Sequence, residues 1–382
     1  MPTVVIAPDK FRGSVTADAA ARHLARGMEA ASPGITTLCL PVADGGEGTV
    51  EAALSAGFDP VRARVRAPLG GFVDAIFAVR GRTALIELAS ASGLNLVHGK
   101  RDPLRASSHG TGDLIRAALD NGCDDIIVGL GGSACSDGGA GMVEALGGKL
   151  LNEAGGRVGP GGAELAGIAK LDLSGLDGRL GLAKIRVACD VDSPLLGPRG
   201  AAQTYGPQKG ADSRSVAVLE AAMAHWADVV HAAIGSEHRF REGAGAAGGV
   251  GFACLALLRG HLAPGIETIL DIVEFDGRLD SADLVVTGEG SLDDQTLRGK
   301  APAGVARAAG RKGVPVVAVA GVSRLASADR RRLGIERLYL LSALEPDPEL
   351  SMRHAPELLT RVGRQIASDF FPAPARELRR PS

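Results

Sequence analysis

Residues 284–290 read LVVTGEG, and residues 3–9 near the N-terminus read TVVIAPD. Each stretch is a short run of mostly β-branched residues that ends at glycine or aspartate. Three further runs have the same form, at 38–43, 316–320 and 338–341. Apolar runs without polar alternation are typical of strands that are buried on both faces of a parallel sheet. These five runs therefore predict one parallel sheet.

Helical periodicity follows most of these strands. The predicted helices cover 16–31, 47–55, 303–311, 326–333 and 356–370. Thr16 is a suitable N-cap for the first, and Pro302 is suited to the first turn of the third. Alternating strands and helices indicate an α/β fold with a doubly wound parallel sheet.

The middle of the chain has a different pattern. Strands at 61–65, 73–79 and 84–88 follow each other with only turns between them, which predicts a meander or mixed sheet. We therefore expect a discontinuous doubly wound domain, residues 1–64 and 281–371, interrupted by a second α/β domain with a mixed sheet, residues 65–280. The Pro- and Arg-containing tail, residues 372–382, is expected to be disordered.

Composition excludes several classes of function. The 382 residues include 54 glycines, aromatic residues make up 3%, and the formal net charge is -2. This balance argues against a nucleic-acid partner and against binding to an anionic membrane. The N-terminus has no signal-peptide pattern, the longest apolar runs are about half a membrane span, and the five cysteines show no metal-ligand spacing. We expect a cytoplasmic protein with free thiols.

Glycine and charged residues recur where predicted strands end, the edge at which doubly wound sheets bind ligands. These segments are Asp9–Ser14, Asp44–Thr49, Gly131–Gly139, Cys189–Asp192, Gly206–Gly210, Gly288–Thr296 and Gly299-Lys300. Glycine lets backbone amides approach phosphate oxygens, and carboxylates can hold Mg²⁺. Only 8 residues are lysine, and three of them, Lys10, Lys209 and Lys300, lie in these segments. The combination predicts phosphoryl transfer from a nucleotide.

Other interpretations of single motifs stay open. A Gly-Gly pair can be only a tight turn, and Asp44 or Asp137 can be only a helix cap. The Walker pattern is absent. Residues 129–134 fit G-x-G-x-x-A after a predicted strand, and Glu153 follows about twenty residues later. An NAD-dependent hydroxy-acid dehydrogenase is therefore a second hypothesis.

Taken together, the segments resemble the bacterial glycerate kinase family over residues 3–345. The resemblance rests on APD at 7–9, PVADGGEGT at 41–49, GTG at 110–112, GGSA at 131–134 and DGGAG at 137–141. It continues in ACDVDSPL at 188–195, YGPQKGA at 205–211, GAAGG at 245–249, ADLVVTGEGSLD at 282–293 and the Gly299-Lys300 pair. Lys10, Arg12, His109 and Cys135-Ser136 depart from residues that are commoner in the family.

The resemblance implies a flavodoxin-like first domain, ATP with Mg²⁺, and phosphorylation of D-glycerate to 2-phosphoglycerate, with 3-phosphoglycerate as the alternative product. The expected partners are these small molecules, and the protein is expected to be a monomer or a homodimer. Expected catalytic residues are Asp190, Lys300, Arg12 and Lys209. Expected substrate-binding residues are Asp9, Lys10, Ser14, Asp44, Gly45, Gly46, Glu47, Asp192 and Gln208. Nucleotide binding is expected from Gly131, Gly132, Ser133, Asp137, Gly288, Glu289 and Gly290, and metal binding from Asp293 and Asp190.

Overall fold

Thirteen strands build three sheets in the computed structural model, which describes residues 1–297 and 299–372 and, for Gln295, the backbone only. The predicted disorder of the tail concerns residues that, apart from Pro372, lie outside the described ones. The strands are β1 (Thr3–Pro8), β2 (Thr36–Cys39), β3 (Asp59–Arg66), β4 (Phe72–Arg80), β5 (Thr83–Glu87), β6 (Asp125–Gly129), β7 (Lys149–Leu151), β8 (Lys170–Asp172), β9 (Lys184–Ala188), β10 (His261–Ala263), β11 (Leu284–Leu292), β12 (Val316–Ser323) and β13 (Ile335–Leu340).

The helices alternate with the strands over most of the chain. They are α1 (Ala17–Ala31), α2 (Thr49–Ser55), α3 (Ala89–Ser92), α4 (His109–Asp120), α5 (Ala140–Ala145), α6 (Ala201–Tyr205), α7 (Ser213–Ile234), α8 (Ala246–Leu257), α9 (Gly265–Ile272), α10 (Phe275–Arg278), α11 (Asp294–Leu297), α12 (Ala301–Arg311), α13 (Ser327–Arg332), α14 (Pro348–Arg353) and α15 (Ala355–Phe370). Thr16 caps α1 as expected, because its side chain accepts a hydrogen bond from the Ala19 amide.

The chain forms two compact units. Unit 1 is residues 1–43 with the described residues from Leu270 onward, and unit 2 is Asp44–Ile269. The expected boundaries at 64/65 and 280/281 lie later in the sequence than these divisions. The reason for the first difference is that β3 pairs with β4 along its whole length, so 59–66 belong to the sheet of unit 2.

Unit 1 contains a five-stranded parallel sheet with the order β13-β12-β11-β1-β2. If its strands are numbered along the chain, this is the 2-1-3-4-5 order of flavodoxin-like folds. The strand order reverses between β1 and β11, and such a switch point opens a crevice at the carboxyl ends of the two strands. The fold thereby predicts a ligand site after Pro8 and along the end of β11.

Unit 2 contains a six-stranded mixed sheet with the order β10-β9-β6-β5-β4-β3. Strands β5, β6, β9 and β10 are parallel, and β4 is antiparallel to both β5 and β3. Strand β3 therefore runs in the same direction as β5. The loops that follow β3, β5, β6, β9 and β10 all leave one edge of this sheet.

Helices α1 and α15 pack against each other on unit 1 with very little space between their backbones. A Cβ on Gly27 would overlap the Thr360 carbonyl oxygen, and one on Gly363 would overlap the Leu24 carbonyl oxygen. Leu24, Leu359 and Ile366 are fully buried at this contact. Glycine is required at both positions because any side chain would separate the helices.

We predict that Gly27→Ala destabilises the protein although alanine favours helix. The added methyl meets backbone that cannot rotate away, so the expected cost is about 1–3 kcal/mol. Urea unfolding followed by circular dichroism measures it. Gly34→Ala is the matched control, since a Cβ there meets nothing within 4 Å. Equal stabilities of the two variants would contradict the close packing of α1 on α15.

Candidate functional site

The loop Asp44-Gly45-Gly46 lies against the carboxyl edge of the unit 2 sheet. A Cβ on Gly131, after β6, would overlap Gly46 Cα, and one on Gly45 would lie 2.9 Å from the Ala188 carbonyl oxygen at the end of β9. Gly45 also has a φ of 84°, in the left-handed region that favours glycine. The glycines thus bring the Asp44 loop into direct backbone contact with the strand ends.

Asp190 follows β9 at the same edge. Its Oδ1 accepts a hydrogen bond of 2.8 Å from the Gly265 amide, the first residue of α9. A Cβ on Gly265 would overlap the Asp44 carbonyl oxygen and lie 2.9 Å from Asp190 Oδ2. Gly265 therefore brings the Asp190 carboxylate close to the Asp44 main chain.

The Cys189 thiol lies near two carboxylates at the carboxyl edge of the unit 2 sheet. Burial, together with the nearby carboxylates of Asp190 and Asp44 and against a hydrogen bond from the Val191 amide, raises the pKa of Cys189 to about 11. The thiol is therefore protonated near neutral pH and is no nucleophile. Asp190 and Asp44 are therefore the candidate reactive groups of this sheet edge.

Glu87, at the end of β5, holds the start of α2, the helix that follows the Asp44 loop. Its buried carboxylate accepts a hydrogen bond of 2.7 Å from the Val50 amide in the first turn of α2. Helix α2 begins after Gly48 without a side-chain cap, so Glu87 neutralises a helix N-terminus that would otherwise be unsatisfied.

The loop Gly131-Gly132-Ser133 is held by the segment that follows β5. The Gly132 carbonyl accepts from the Leu94 amide at 2.9 Å, and the Ala134 amide donates to the Ser92 carbonyl at 2.9 Å. Gly132 is exposed and has a φ of 72°. The loop is thus a fixed turn with an exposed glycine, suited to bringing backbone amides to an anion.

Asp137 lies in the interior and not at the edge. It is 1% exposed, and its Oδ2 accepts from the Ser108 amide at 2.7 Å and from Ser108 Oγ at 2.9 Å. Gly139 and Gly141 amides donate to the same carboxylate at 3.2 and 3.3 Å. These contacts favour a role in joining two loops over direct contact with a nucleotide.

Lys209 is also interior. It is 1% exposed, and its Nζ donates to the Cys135 carbonyl oxygen at 2.5 Å. Gly248, with a φ of 69°, lets the backbone of α8 pass beside this ammonium group. The expected catalytic role of Lys209 stays a prediction, and its contacts favour support of the segment after Ser133.

Three other expected residues of unit 2 lie on its surface. Asp192 is 75% exposed with Arg199 Nη1 3.7 Å from its Oδ2. Gln208 is exposed, and its carbonyl oxygen accepts from Arg101 Nη1 at 2.6 Å. Glu47 is exposed on the Asp44 loop. Of these three, Glu47 belongs to the segment that approaches the strand ends.

In unit 1, Asp9 and Lys10 lie at the switch point. The Asp9 amide donates to the Gly288 carbonyl at 2.8 Å, which extends the pairing of β1 with β11 by one residue. Asp9 is 6% exposed, and its Oδ1 accepts from the Lys10 amide at 2.6 Å. No side chain fits at Gly288, because a Cβ there would overlap the Val319 carbonyl oxygen.

Lys300 lies between two acidic residues of unit 1. Its Nζ is 3.5 Å from Glu289 Oε2 and 3.9 Å from Asp293 Oδ1. Thr296 Oγ donates to Glu289 Oε1 at 2.8 Å. The arrangement joins the end of β11 to the start of α12 and holds a cation beside the switch point.

The segment after β1 completes the unit 1 residues. A Cβ on Gly290 would lie 3.2 Å from the Arg12 amide, so Gly290 lets the two segments meet. Arg12 is exposed and, within the part of the chain that is described, makes no ion pair. Ser14 Oγ donates to the Met352 carbonyl at 2.6 Å, which ties this segment to α14.

The fit of Mg²⁺ differs between the two places. Among residues 1–297 and 299–372, no group of three or more His, Cys, Asp or Glu side chains could hold a metal ion. Mg²⁺ is commonly bound by one or two carboxylates together with substrate phosphates and water. Asp190 with Asp44 meets that need, whereas the ammonium of Lys300 already stands near Asp293.

Sequence reasoning missed Gly265, Glu87 and Thr296. Gly265 follows Pro264 after a strand of only three residues, so no periodic signal marks it. Glu87 had a usable signal, because it is an acidic residue at the end of an apolar strand. Thr296 is part of the quoted motif, but its bond to Glu289 depends on the turn between β11 and α12.

The chain has a two-unit α/β architecture, and comparison with known proteins shows that it is a phosphotransferase and gives its family. The model of the glycerate kinase family matches residues 4–370, and the chain belongs to that family. It is 47% identical over 372 residues to a glycerate kinase of Bacillus subtilis (strain 168), covering 96% of this chain and 97% of that protein. It is 42% identical over 369 residues to the glycerate 2-kinase of Escherichia coli (strain K12), with 96% and 97% covered.

A crystal structure agrees with the architecture. The structure assigned as glycerate kinase 2 from Salmonella typhimurium LT2 superposes with a TM-score of 0.84 at 41% identity, covering 96% of this chain and 98% of that chain. The predicted α/β fold class and family are thereby confirmed. In the described ranges, no helix has the length and apolar character needed to cross a membrane.

The interior position of Lys209 predicts an unusual pH dependence of stability. Burial lowers the pKa of Lys209, partly offset by the charge of Asp137. At a pH between the folded and the unfolded pKa of Lys209, the unfolded chain binds more protons than the folded protein. The free energy of unfolding therefore rises with pH in this range, up to the unfolded pKa of about 10.5. We expect the free energy of unfolding of the wild type to rise relative to Lys209→Met between pH 8 and pH 10.5, measured by urea unfolding.

Lys312→Met is the control variant, because no rise in the wild-type free energy of unfolding relative to this variant is expected between pH 8 and pH 10.5. A hydrogen bond to Asp280 raises the pKa of Lys312, so its contribution is present below the unfolded pKa and is lost only above it. A pH-independent difference between the wild type and Lys209→Met would contradict the burial of a charged group at this position.

Proposed function

We propose that the protein phosphorylates D-glycerate with ATP, at the 2-hydroxyl, to give 2-phosphoglycerate and ADP. The observation that carries the proposal is the Asp190 carboxylate, held by the Gly265 amide at the same sheet edge as the exposed Gly132 turn. A carboxylate beside an amide-lined loop suits the two needs of a kinase, which are to orient a hydroxyl and to hold phosphate. The name of the Escherichia coli relative supports the 2-hydroxyl.

In unit 2, Asp190 orients the glycerate hydroxyl and accepts its proton. Its Oδ1 is engaged by Gly265, which fixes the direction of Oδ2. The amides of Gly131, Gly132 and Ser133 bind nucleotide phosphate oxygens. Asp44, with Gly45, Gly46 and Glu47, contacts the substrate. Asp137 and Lys209 hold these loops from the interior.

In unit 1, two cationic side chains bind negatively charged groups of the substrates. Lys300 and Arg12 bind the transferring phosphoryl group or the glycerate carboxylate. Glu289 and Asp293 hold Lys300 in place, at 3.5 and 3.9 Å. Asp9, Lys10 and Ser14 line the segment after β1, and Gly288 and Gly290 allow close approach there.

Asp190 and Asp44 would hold Mg²⁺ together with nucleotide phosphates, where the ion supplies charge neutralisation. Asp293 is the weaker candidate because Lys300 competes for its carboxylate. The proposed partners are D-glycerate and ATP, with no nucleic acid and no membrane. The proposed location is the cytoplasm, in a monomer or a homodimer.

The dehydrogenase hypothesis loses its structural basis. A dinucleotide fingerprint opens a helix directly after its strand. Here α5 begins only at Ala140, well beyond Ala134. Glu153, the residue that would bind a ribose, is exposed in the turn after β7. Family membership and these positions both favour a kinase.

Purified protein should form ADP when ATP, Mg²⁺ and D-glycerate are all present. Release of ADP is followed with pyruvate kinase and lactate dehydrogenase, and omission of D-glycerate is the control. A glycerate-independent rate equal to the complete reaction would contradict the proposal. Isolated product given to enolase alone should form phosphoenolpyruvate, whereas 3-phosphoglycerate would give none without a mutase.

Asp190→Asn should reduce kcat by about 10²–10⁴-fold, because the amide keeps a hydrogen-bond acceptor for Gly265 but cannot accept a proton. The melting temperature should stay close to that of the wild type. Asp228→Asn is the matched control, since Asp228 is 68% exposed and pairs with Arg239 at 2.7 Å on the surface of unit 2. A near-normal kcat for Asp190→Asn would remove Asp190 from the reaction.

A further inference from the structure

Unit 2 has a second concave place at the carboxyl edge of its sheet. A pocket of about 510 Å³ is formed by the turn after β3, the segment before α4 and the loop that precedes Ala163. Pockets of this size accept small organic ligands. None of its lining residues belongs to the groups assigned above to D-glycerate, ATP or Mg²⁺.

The pocket is built by backbone hydrogen bonds and is therefore preformed. The Ser107 amide donates to the Pro68 carbonyl at 2.9 Å, which joins the turn after β3 to the start of α4. The Ala163 amide donates to the Leu104 carbonyl at 3.0 Å, which brings in the third segment. Gly161, with a φ of 115°, allows that approach, since a Cβ would meet Leu104 and Arg105 backbone.

The guanidinium groups of two pocket arginines have no partner among the described residues. Arg66 and Arg105 are exposed, and neither guanidinium forms an ion pair or a hydrogen bond with any described residue. Neighbouring arginines are engaged, for Arg64 stacks on Phe72 at 5.3 Å and Arg116 pairs with Asp113 at 2.8 Å. The contrast leaves Arg66 and Arg105 available for a ligand.

His109 and one carboxylate are the other polar side chains of the pocket. His109 Nδ1 lies 3.3 Å from Asp113 Oδ2, so its Nε2 is the nitrogen left for a ligand. Glu164 is the acidic residue of the lining. Two guanidinium groups against the one lining carboxylate favour an anion, and guanidinium forks suit phosphate oxygens.

The remaining wall is apolar. Pro68, Leu69 and Pro160 line it, and Leu69 is 39% exposed. An inorganic ion would leave this wall uncovered and most of the volume empty. A ligand with a phosphate group and a carbon or ring portion would use both halves of the pocket.

We propose that this pocket binds an organic phosphate, with Arg66 and Arg105 on its phosphate oxygens and its carbon portion on Pro68, Leu69 and Pro160. The same chemistry has two sources, a second molecule of the donor nucleotide, separate from the one bound by Gly131–Ser133, or a different phosphorylated metabolite. The first source rests on the proposed function, and the second does not.

Isothermal titration calorimetry on the full chain tests the proposal with two probes, ADP and glucose 6-phosphate. Arg66→Gln and Arg105→Gln should each raise the Kd of at least one probe about tenfold or more, because each removes a charge-assisted contact. Loss of ADP affinity identifies the nucleotide, and loss of glucose 6-phosphate affinity identifies a separate metabolite. Unchanged Kd values for both probes, or no binding of either probe to the wild type, would overturn the proposal.

Arg62→Gln is the matched control, since Arg62 is exposed on the same strand and side as Arg66 but does not line the pocket. Its Kd values should equal those of the wild type, and all variants should keep the wild-type melting temperature. Turnover of D-glycerate with ATP by the wild type is measured separately. Normal turnover with unchanged Kd values rejects the pocket alone, whereas absent turnover with weakened glucose 6-phosphate binding rejects the proposed function alone.

Discussion

Direct contact between backbones is the constraint on which the unit 2 site depends. The Asp44 loop reaches the ends of β6 and β9 only because Gly45 and Gly131 carry no side chain. Gly265 applies the same condition to the start of α9, where its amide holds Asp190. A methyl at any of these places would move a carboxylate or a loop. The glycines are therefore needed here to position the carboxylates, and not to make the loops flexible.

The two units hold their charges in different ways. In unit 2 the interior supplies the support, through Asp137, Glu87 and Lys209, which are all largely buried and hydrogen-bonded to backbone. In unit 1 the support comes from side chains near the surface, where Lys300 is held by Glu289 and Asp293. Buried polar contacts specify one loop geometry at high cost if broken, whereas the partly exposed group around Lys300 can rearrange at low cost.

Sequence pattern predicted the centre of unit 1, because β1, β11 and β12 are apolar runs that end in glycine or a polar residue. It also placed the polar loops at strand ends, which is why Asp44, Asp190 and Gly131 were named. It could not show that Lys209 is buried, since a lysine between glycines has the pattern of a surface turn. It could not assign β3 to a sheet, because β3 alternates polar and apolar residues and only its pairing with β4 assigns it to unit 2. Gly265 could not be found because its function depends on a carboxylate 75 residues away.

The switch point of unit 1 also sets an order of events during synthesis. Ala7 in β1 accepts a hydrogen bond from Thr287 in β11, 280 residues later in the chain. Strand β1 is central in its sheet, so until β11 emerges from the ribosome it has β2 on one side and an unpaired edge on the other. All of unit 2, a compact unit of the fold, is made during that interval. The nascent protein thus carries an open apolar strand for most of its translation, a state in which aggregation competes with folding and chaperone protection has most effect.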